Sequence, residues 1–460
     1  MTSDTPDPWV TDDNASLLTD QYELTMARAY LAEGMTEPAT FSLFVRRLPD
    51  ERNYLLAAGL DSALNYLESL SFSDDELEYL ASLEAFDREF VAELAELEFT
   101  GDVRAVPEGT PVFPDEPLVE VTAPLPEAQI AESFVMNQVH LQTVLASKAS
   151  RVARAAGEKA VVDFGLRRMH GTDAAMRAAR AFHIAGVDAT SNVLAGRAWD
   201  VTVTGTMAHS YIQSHDSELE AFRAFSEQYP ETILLVDTYD TLEGVDRVVQ
   251  LAEERGEEFR IGGIRLDSGD LGALARTSRR KLDRAGLQDV DIFASGGLDE
   301  YEIRYLRMSD APIDGFGVGT AMGTARDAPG LDIAYKLTEY AGEGRLKLSP
   351  GKKILPGPKQ VYRRMEDGIA TGDTITLEDG DSEGEPLLET VMVDGDRVDT
   401  DQADLEAARQ RANRRTGDLP ERVQSIEPAE PTYPVEPSRP LVRYQQEVAD
   451  RIRRETETGE

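Results

Sequence analysis

The chain has 460 residues, 41% of them hydrophobic, with no cysteine and a formal net charge of −39. Lack of cysteine excludes disulfides, thiolate catalysis and Cys-ligated zinc together, and no run approaches the ~18 apolar residues that span a bilayer. So large an acid excess, with lysine at only eight positions and arginine supplying nearly all other positive charge, predicts a solvated, salt-adapted surface and argues against nucleic-acid binding.

The first 13 residues are polar and acidic, lacking the basic start and apolar stretch of a signal peptide, so a cytoplasmic protein is expected. Asn14-Ala15-Ser16 are capping candidates for a helix running through Leu17, Tyr22 and Tyr30, followed by an extended segment, Ala39–Val45. Two further helices are predicted. In the second, Leu77 to Leu94 recur at helical spacing, and Asp74, Asp75, Glu76, Glu78, Glu84 and Glu93 read as a wet face. Residues 101–124 alternate turn chemistry with short β-prone runs, and one unbroken helix is expected from Pro126 to Gly157.

From Ala160 to about Met322 short apolar runs alternate with helical stretches: Val161–Phe164, Ile184–Val187, Val201–Val203, Ile233–Val236, Ile264–Leu266, Ile292–Ala294 and Phe316–Val318. Such alternation implies parallel strands with crossover helices, and about seven units favour a barrel. The expected fold is therefore α/β with a TIM-like (β/α) barrel, whose active site gathers where the strands end. Beyond Gly330 the pattern loosens into a β-prone stretch, an acidic region over 366–402, a helix near Gln402–Asn413, loop over 425–440 and a proline-punctuated tail.

Several strand ends carry chemistry. Thr204-Gly205-Thr206-Met207-Ala208-His209-Ser210 joins small and hydroxyl residues to a histidine at a strand-to-helix junction, where unpaired N–H groups attract anions. His209 there is either a phosphoryl-accepting nucleophile or a histidine satisfied by capping. Arg265 and Asp267, two apart on one strand, share a face. Arginine can grip a carboxylate or phosphate by its fork, and aspartate can serve Mg²⁺ or a ribose; a structural ion pair is the alternative. Phe164-Gly165-Leu166-Arg167-Arg168 offers a ring and two guanidiniums to a flat anion, although Phe164 alone could be core. Asp237, Ser295-Gly296-Gly297 and Gly317-Val318-Gly319-Thr320 end the other strands, the glycines suiting a backbone phosphate site. Five of the eight lysines fall between Lys336 and Lys359, a cluster suited to phosphates or arising by chance.

Taken together, Leu18–Met26 (including Thr19-Asp20-Gln21-Tyr22), Phe164–Arg168, Gly205–Ser210, Arg265–Asp270, Gly317–Thr320 and Lys347–Lys353 with Lys359-Gln360 resemble nicotinate phosphoribosyltransferase, in order across roughly residues 14–364. The resemblance implies an irregular barrel with an additional α+β domain built from both ends of the chain. The divisions expected are 1–135 N-terminal, 136–330 catalytic barrel, and 331–460 returning to the N-terminal domain, with an acidic insertion and tail. It also implies an enzyme that joins nicotinate to phosphoribosyl pyrophosphate (PRPP), with coupled ATP hydrolysis, for NAD salvage.

On this resemblance His209 becomes the transient phosphohistidine, and Asp237 and Asp267 are acids near the ribose and Mg²⁺. Thr206 and Arg265 contact nicotinate or the nearby ribose phosphate, Phe164 stacks on the base, and Arg167 meets phosphate. Gly317, Gly319 and Thr320 form a phosphate loop, and Tyr22 is a second ring donated across a homodimer with shared active sites. Arg151, Arg154, Arg167, Arg168, Arg265 and the lysine cluster are the expected positive basin. Asn192, where nicotinamide-using relatives carry an aspartate, favours the acid substrate. A nicotinamide or quinolinate phosphoribosyltransferase is the alternative within the fold, and a non-catalytic nucleotide sensor the alternative outside it.

Overall fold

The computed structural model describes residues 9–11, 14–349, 354–398 and 404–458. The chain divides into two compact units, Leu145–Pro329 and the combination of Met1–Val144 with Gly330–Glu460.

The unit formed by Leu145–Pro329 holds a six-stranded parallel sheet. Its strands lie in the order Ala189–Thr190, Ala160–Asp163, Gly315–Val318, Asp291–Ala294, Gly263–Leu266, Ile233–Leu235. The last strand in sequence lies beside the first, as in a barrel, and the ladder is broken once, between Thr190 and Ile233. Val203 lies in that gap and makes only an isolated bridge to Thr190, so Val201–Val203 is not the strand its apolar alternation predicts. Val161, Ile264, Leu266, Ile292, Phe316 and Val318 are buried, because the crossover helices cover what their alternation leaves apolar.

Ile184–Val187 is also not a strand. The helix Thr172–Ile184 ends there in a glycine cap. Gly186 is left-handed at φ +102°, its N–H donating to His183 and that of Val187 to Phe182, so this apolar run is a helix terminus folded onto itself. The strand comes two residues later.

The other unit is built on a seven-stranded sheet in which Pro38–Val45 pairs antiparallel with both Pro117–Pro124 and Ile333–Tyr340. Sequence ends are thus joined in one core. The first expected helix is a 3-10 turn at Ala15–Leu17 and then a helix at Gln21–Ala32. Three helices, Leu60–Ser69, Asp74–Ser82 and Arg88–Leu94, replace the two expected. Glu76 is buried, not on a wet face, since its carboxylate accepts from Ser73 N–H and Oγ in a capping box. The helix expected to be continuous from Pro126 is two, Leu125–Ile130 and Glu132–Ala156.

The acidic region forms strands. Lys359–Glu366 and Ile369–Leu377 pair across Asp367-Gly368, both at positive φ as a tight hairpin turn requires. Gln402 and its neighbours fall outside the described residues, and the helix there is Leu405–Gly417. The proline-punctuated tail is a 20-residue helix, Arg439–Thr458. Ser438 caps it, and Pro440 sits in the first turn, where its missing N–H costs nothing. Among the described residues no helix is long and apolar enough to cross a membrane.

Candidate active site

Within Leu145–Pro329 the strand ends enclose a cavity of ≈ 690 Å³. Phe164, Arg167, Thr206, His209, Arg265, Asp267, Gly317, Gly319 and Thr320 all line it. Convergence follows from parallel strands presenting their C-terminal loops on one rim.

Arg265 is the hub. Its Nη1 donates to Asp267 Oδ1 at 3.2 Å and Ser295 Oγ at 3.1 Å, and its Nη2 to the Met207 carbonyl at 2.7 Å. Nε is buried without a partner. The guanidinium carbon lies 5.7 Å from the centroid of the Phe164 ring, within cation–π range. Burial lowers the Arg265 pKa, while Asp267 and Asp237 oppose that shift. The ion pair offered as the structural alternative therefore exists, with Nε the one guanidinium nitrogen left without a protein partner.

His209 opens the short helix His209–Gln213 and is half-buried. Its Nδ1 is 3.1 Å from Thr238 Oγ1, and its Nε2 is 4.0 Å from Asp267 Oδ2. Asp237 is not on the cavity lining; it braces the loop that is. Its Oδ2 accepts from Asp267 N–H at 3.1 Å and Ser268 Oγ at 2.5 Å, and Oδ1 is buried without a partner. Behind it, Glu218 is buried with Oε1 unpartnered. Burial pushes its pKa up to about 7, with Arg247 opposing and Asp237, Glu243 and Asp240 adding.

Two glycines are required by contact. A methyl on Gly317 would run into the Phe164 ring, and one on Gly296, at φ +88°, would overlap the Asp267 carbonyl. Gly317 thus makes room for the ring as well as facing the cavity.

Tyr22 lies outside Leu145–Pro329, on the helix Gln21–Ala32, and is 45% exposed. Other expectations need correction. Lys359 is buried, 3.1 Å from Glu120, and so is neutralised and unavailable to phosphate; Lys352 and Lys353 lie outside the described residues. Arg151 is buried against Glu300 at 2.8 Å and is not on the cavity. Asn192 is buried, its side chain accepting from Ala195 N–H and donating to the Ala175 carbonyl. Conversely Thr238, Ser191 and Arg326 were missed. The positive basin that remains on the lining is Arg167, Arg168, Arg265 and Arg326 against the single acid Asp267.

The chain matches the nicotinate phosphoribosyltransferase N-terminal domain over residues 17–140 and the nicotinate phosphoribosyltransferase family over residues 159–376. The chain belongs to the nicotinate phosphoribosyltransferase family. It is 51% identical over 420 residues, 91% of each chain, to a nicotinate phosphoribosyltransferase of Mycobacterium tuberculosis. Identity to that of Bacillus subtilis is 42% over 378 residues, covering 80% of this chain and 77% of the relative. Its fold is similar to that of human nicotinic acid phosphoribosyltransferase, with a TM-score of 0.84 and 27% identity over 93% of this chain and 99% of the human one. The expected activity, an α/β enzyme making nicotinate mononucleotide from nicotinate and PRPP in NAD salvage, is the one the nicotinate phosphoribosyltransferase assignment carries.

Proposed function

We propose that the ≈ 690 Å³ cavity is where nicotinate, PRPP and ATP are handled, with His209 taking a phosphoryl group from ATP. The carrying observation is the meeting of a half-buried histidine, four arginines and glycine-rich strand ends in one concavity. Attack at the anomeric carbon builds positive charge on the ribose, and the carboxylate of Asp267, steadied by Asp237, stabilises it. The unpartnered Nε of Arg265 meets the nicotinate carboxylate, Phe164 stacks on the ring, and Thr206 closes that end. Arg167, Gly317, Gly319 and Thr320 hold phosphate.

Mg²⁺ fits the donor set. Among the described residues no group of three or more ligating side chains is built for a metal, as expected of an ion that takes one or two carboxylates and otherwise substrate phosphates. Asp267 Oδ1 is spent on Arg265 and Ser295. Asp267 Oδ2 is the donor on the lining that would hold the ion, and the orphaned Asp237 Oδ1, off the lining, adds charge behind it. When bound, Mg²⁺ would neutralise the pyrophosphate leaving group.

The working form is a homodimer with shared active sites, supported by an exposed aromatic, Tyr22, which is offered to a second copy. Its phosphorylated substrates argue for the cytoplasm. Incubation with γ-labelled ATP tests the reading: acid-labile, base-stable label on the wild type, absent from His209→Ala, is expected. Label surviving that substitution would remove His209 from the role.

A further inference from the structure

We infer that Thr238 is a positioning residue that fixes the tautomer and orientation of the His209 ring, so that Nδ1 alone receives the phosphoryl group; this rests on the phosphohistidine reading above. The strand Ile233–Leu235 delivers Asp237 and Thr238 side by side at its end. Asp237 holds the Asp267–Ser268 loop, and Thr238 reaches His209 Nδ1 at 3.1 Å. One strand end thereby sets both the carboxylate and the imidazole of the site.

The ring's other nitrogen decides the tautomer. Nε2 lies 4.0 Å from Asp267 Oδ2, and a carboxylate favours an N–H over a lone pair pointed at it. A threonine hydroxyl can donate or accept equally well. With the proton on Nε2, Thr238 Oγ1–H donates to the Nδ1 lone pair. That lone pair is then the nucleophile toward the γ-phosphorus of a nucleoside triphosphate. An N–P bond forms at Nδ1 as the P–O bond to the leaving nucleoside diphosphate breaks, and the electron pair departs with the diphosphate. The Nε2 proton stays, and the positive charge gained by the ring faces Asp267. Thr238 Oγ1, released from Nδ1, turns its hydrogen to a phosphoryl oxygen. His209 heads a helix of only five residues and is half-buried, so the small shift this needs is available.

The test is label transfer from γ-labelled ATP, with alkaline hydrolysis and separation of the two phosphohistidine isomers. Wild type should carry label on Nδ1. Thr238→Val, which keeps the shape and loses the hydroxyl, should label at least tenfold more slowly and spread label to Nε2. Thr238→Ser should restore both rate and isomer. Wild-type label on Nε2 would overturn the tautomer without need of any variant. Thr238→Val labelling at the wild-type rate and only on Nδ1 would overturn the positioning role while leaving His209 as acceptor. Absence of label on the wild type would overturn the underlying reading as well.

Discussion

Arg265 has five N–H donors and gives three hydrogen bonds to the protein, so it braces the site, while its buried Nε has no protein partner. Arg265→Ala should raise the KM for nicotinate by about 10–100-fold, the worth of a charge-assisted hydrogen bond. ATP hydrolysis measured alongside should fall less, and equal losses would remove the carboxylate from its role. Glu218 gives a pH signature. Its folded pKa is raised from the ordinary 4.5 to about 7, so the folded state keeps a proton that the unfolded chain loses. Stability from this group is full below about pH 4.5 and lost as pH rises through 7. Glu218→Gln should therefore gain about 1–3 kcal/mol relative to wild type between pH 4 and pH 8, and denaturant melts in metal-free buffer would read it; a pH-independent difference would contradict the shift. At this scale the sequence was legible where a motif holds several reactive residues within a few positions, as around His209 and Arg265. Thr238, Ser191 and Arg326 were not, because a lone polar residue carries no pattern. Lys359 misled because its partner, Glu120, is 239 positions away.

Strands ending in small residues let rings and loops approach. On the strand Gly315–Val318, Gly317→Ala would push a methyl into Phe164 and shift the ring away from Arg265. The KM for nicotinate should rise about tenfold or more, since a misplacement of about 1 Å is enough for losses of that order. Gly205 has nothing within 4 Å of where a Cβ would sit, so Gly205→Ala should leave the melting temperature unchanged. A normal KM in Gly317→Ala would show that the ring does not position substrate. Alternation of short apolar runs with helical stretches made strands readable at five of the seven expected positions. The two failures have local causes. Ile184–Val187 is apolar because a glycine cap folds it onto its helix, and Val201–Val203 lacks a neighbour to complete a ladder. The tail helix carries no clear signal, because proline in a first helical turn looks, in sequence, like proline in a loop.

Across the whole molecule the charge of −39 must be screened, while the cavity lining carries four arginines and one aspartate. We propose that the acid excess is a salt adaptation. Activity and melting temperature should rise with KCl toward about molar levels, where the Debye length falls to about 3 Å; a flat response would contradict it. How the ends of the chain come together was legible only through resemblance: nothing in the local pattern of Pro38–Val45 says that Ile333–Tyr340 is its neighbour. The most direct test of the account is product analysis with nicotinate, nicotinamide and quinolinate in parallel, each with PRPP and with or without ATP, for wild type and His209→Ala. The account predicts nicotinate mononucleotide from nicotinate alone, stimulated by ATP in the wild type and not in the variant. Equal turnover of nicotinamide or quinolinate, or ATP stimulation that survives loss of His209, would contradict it.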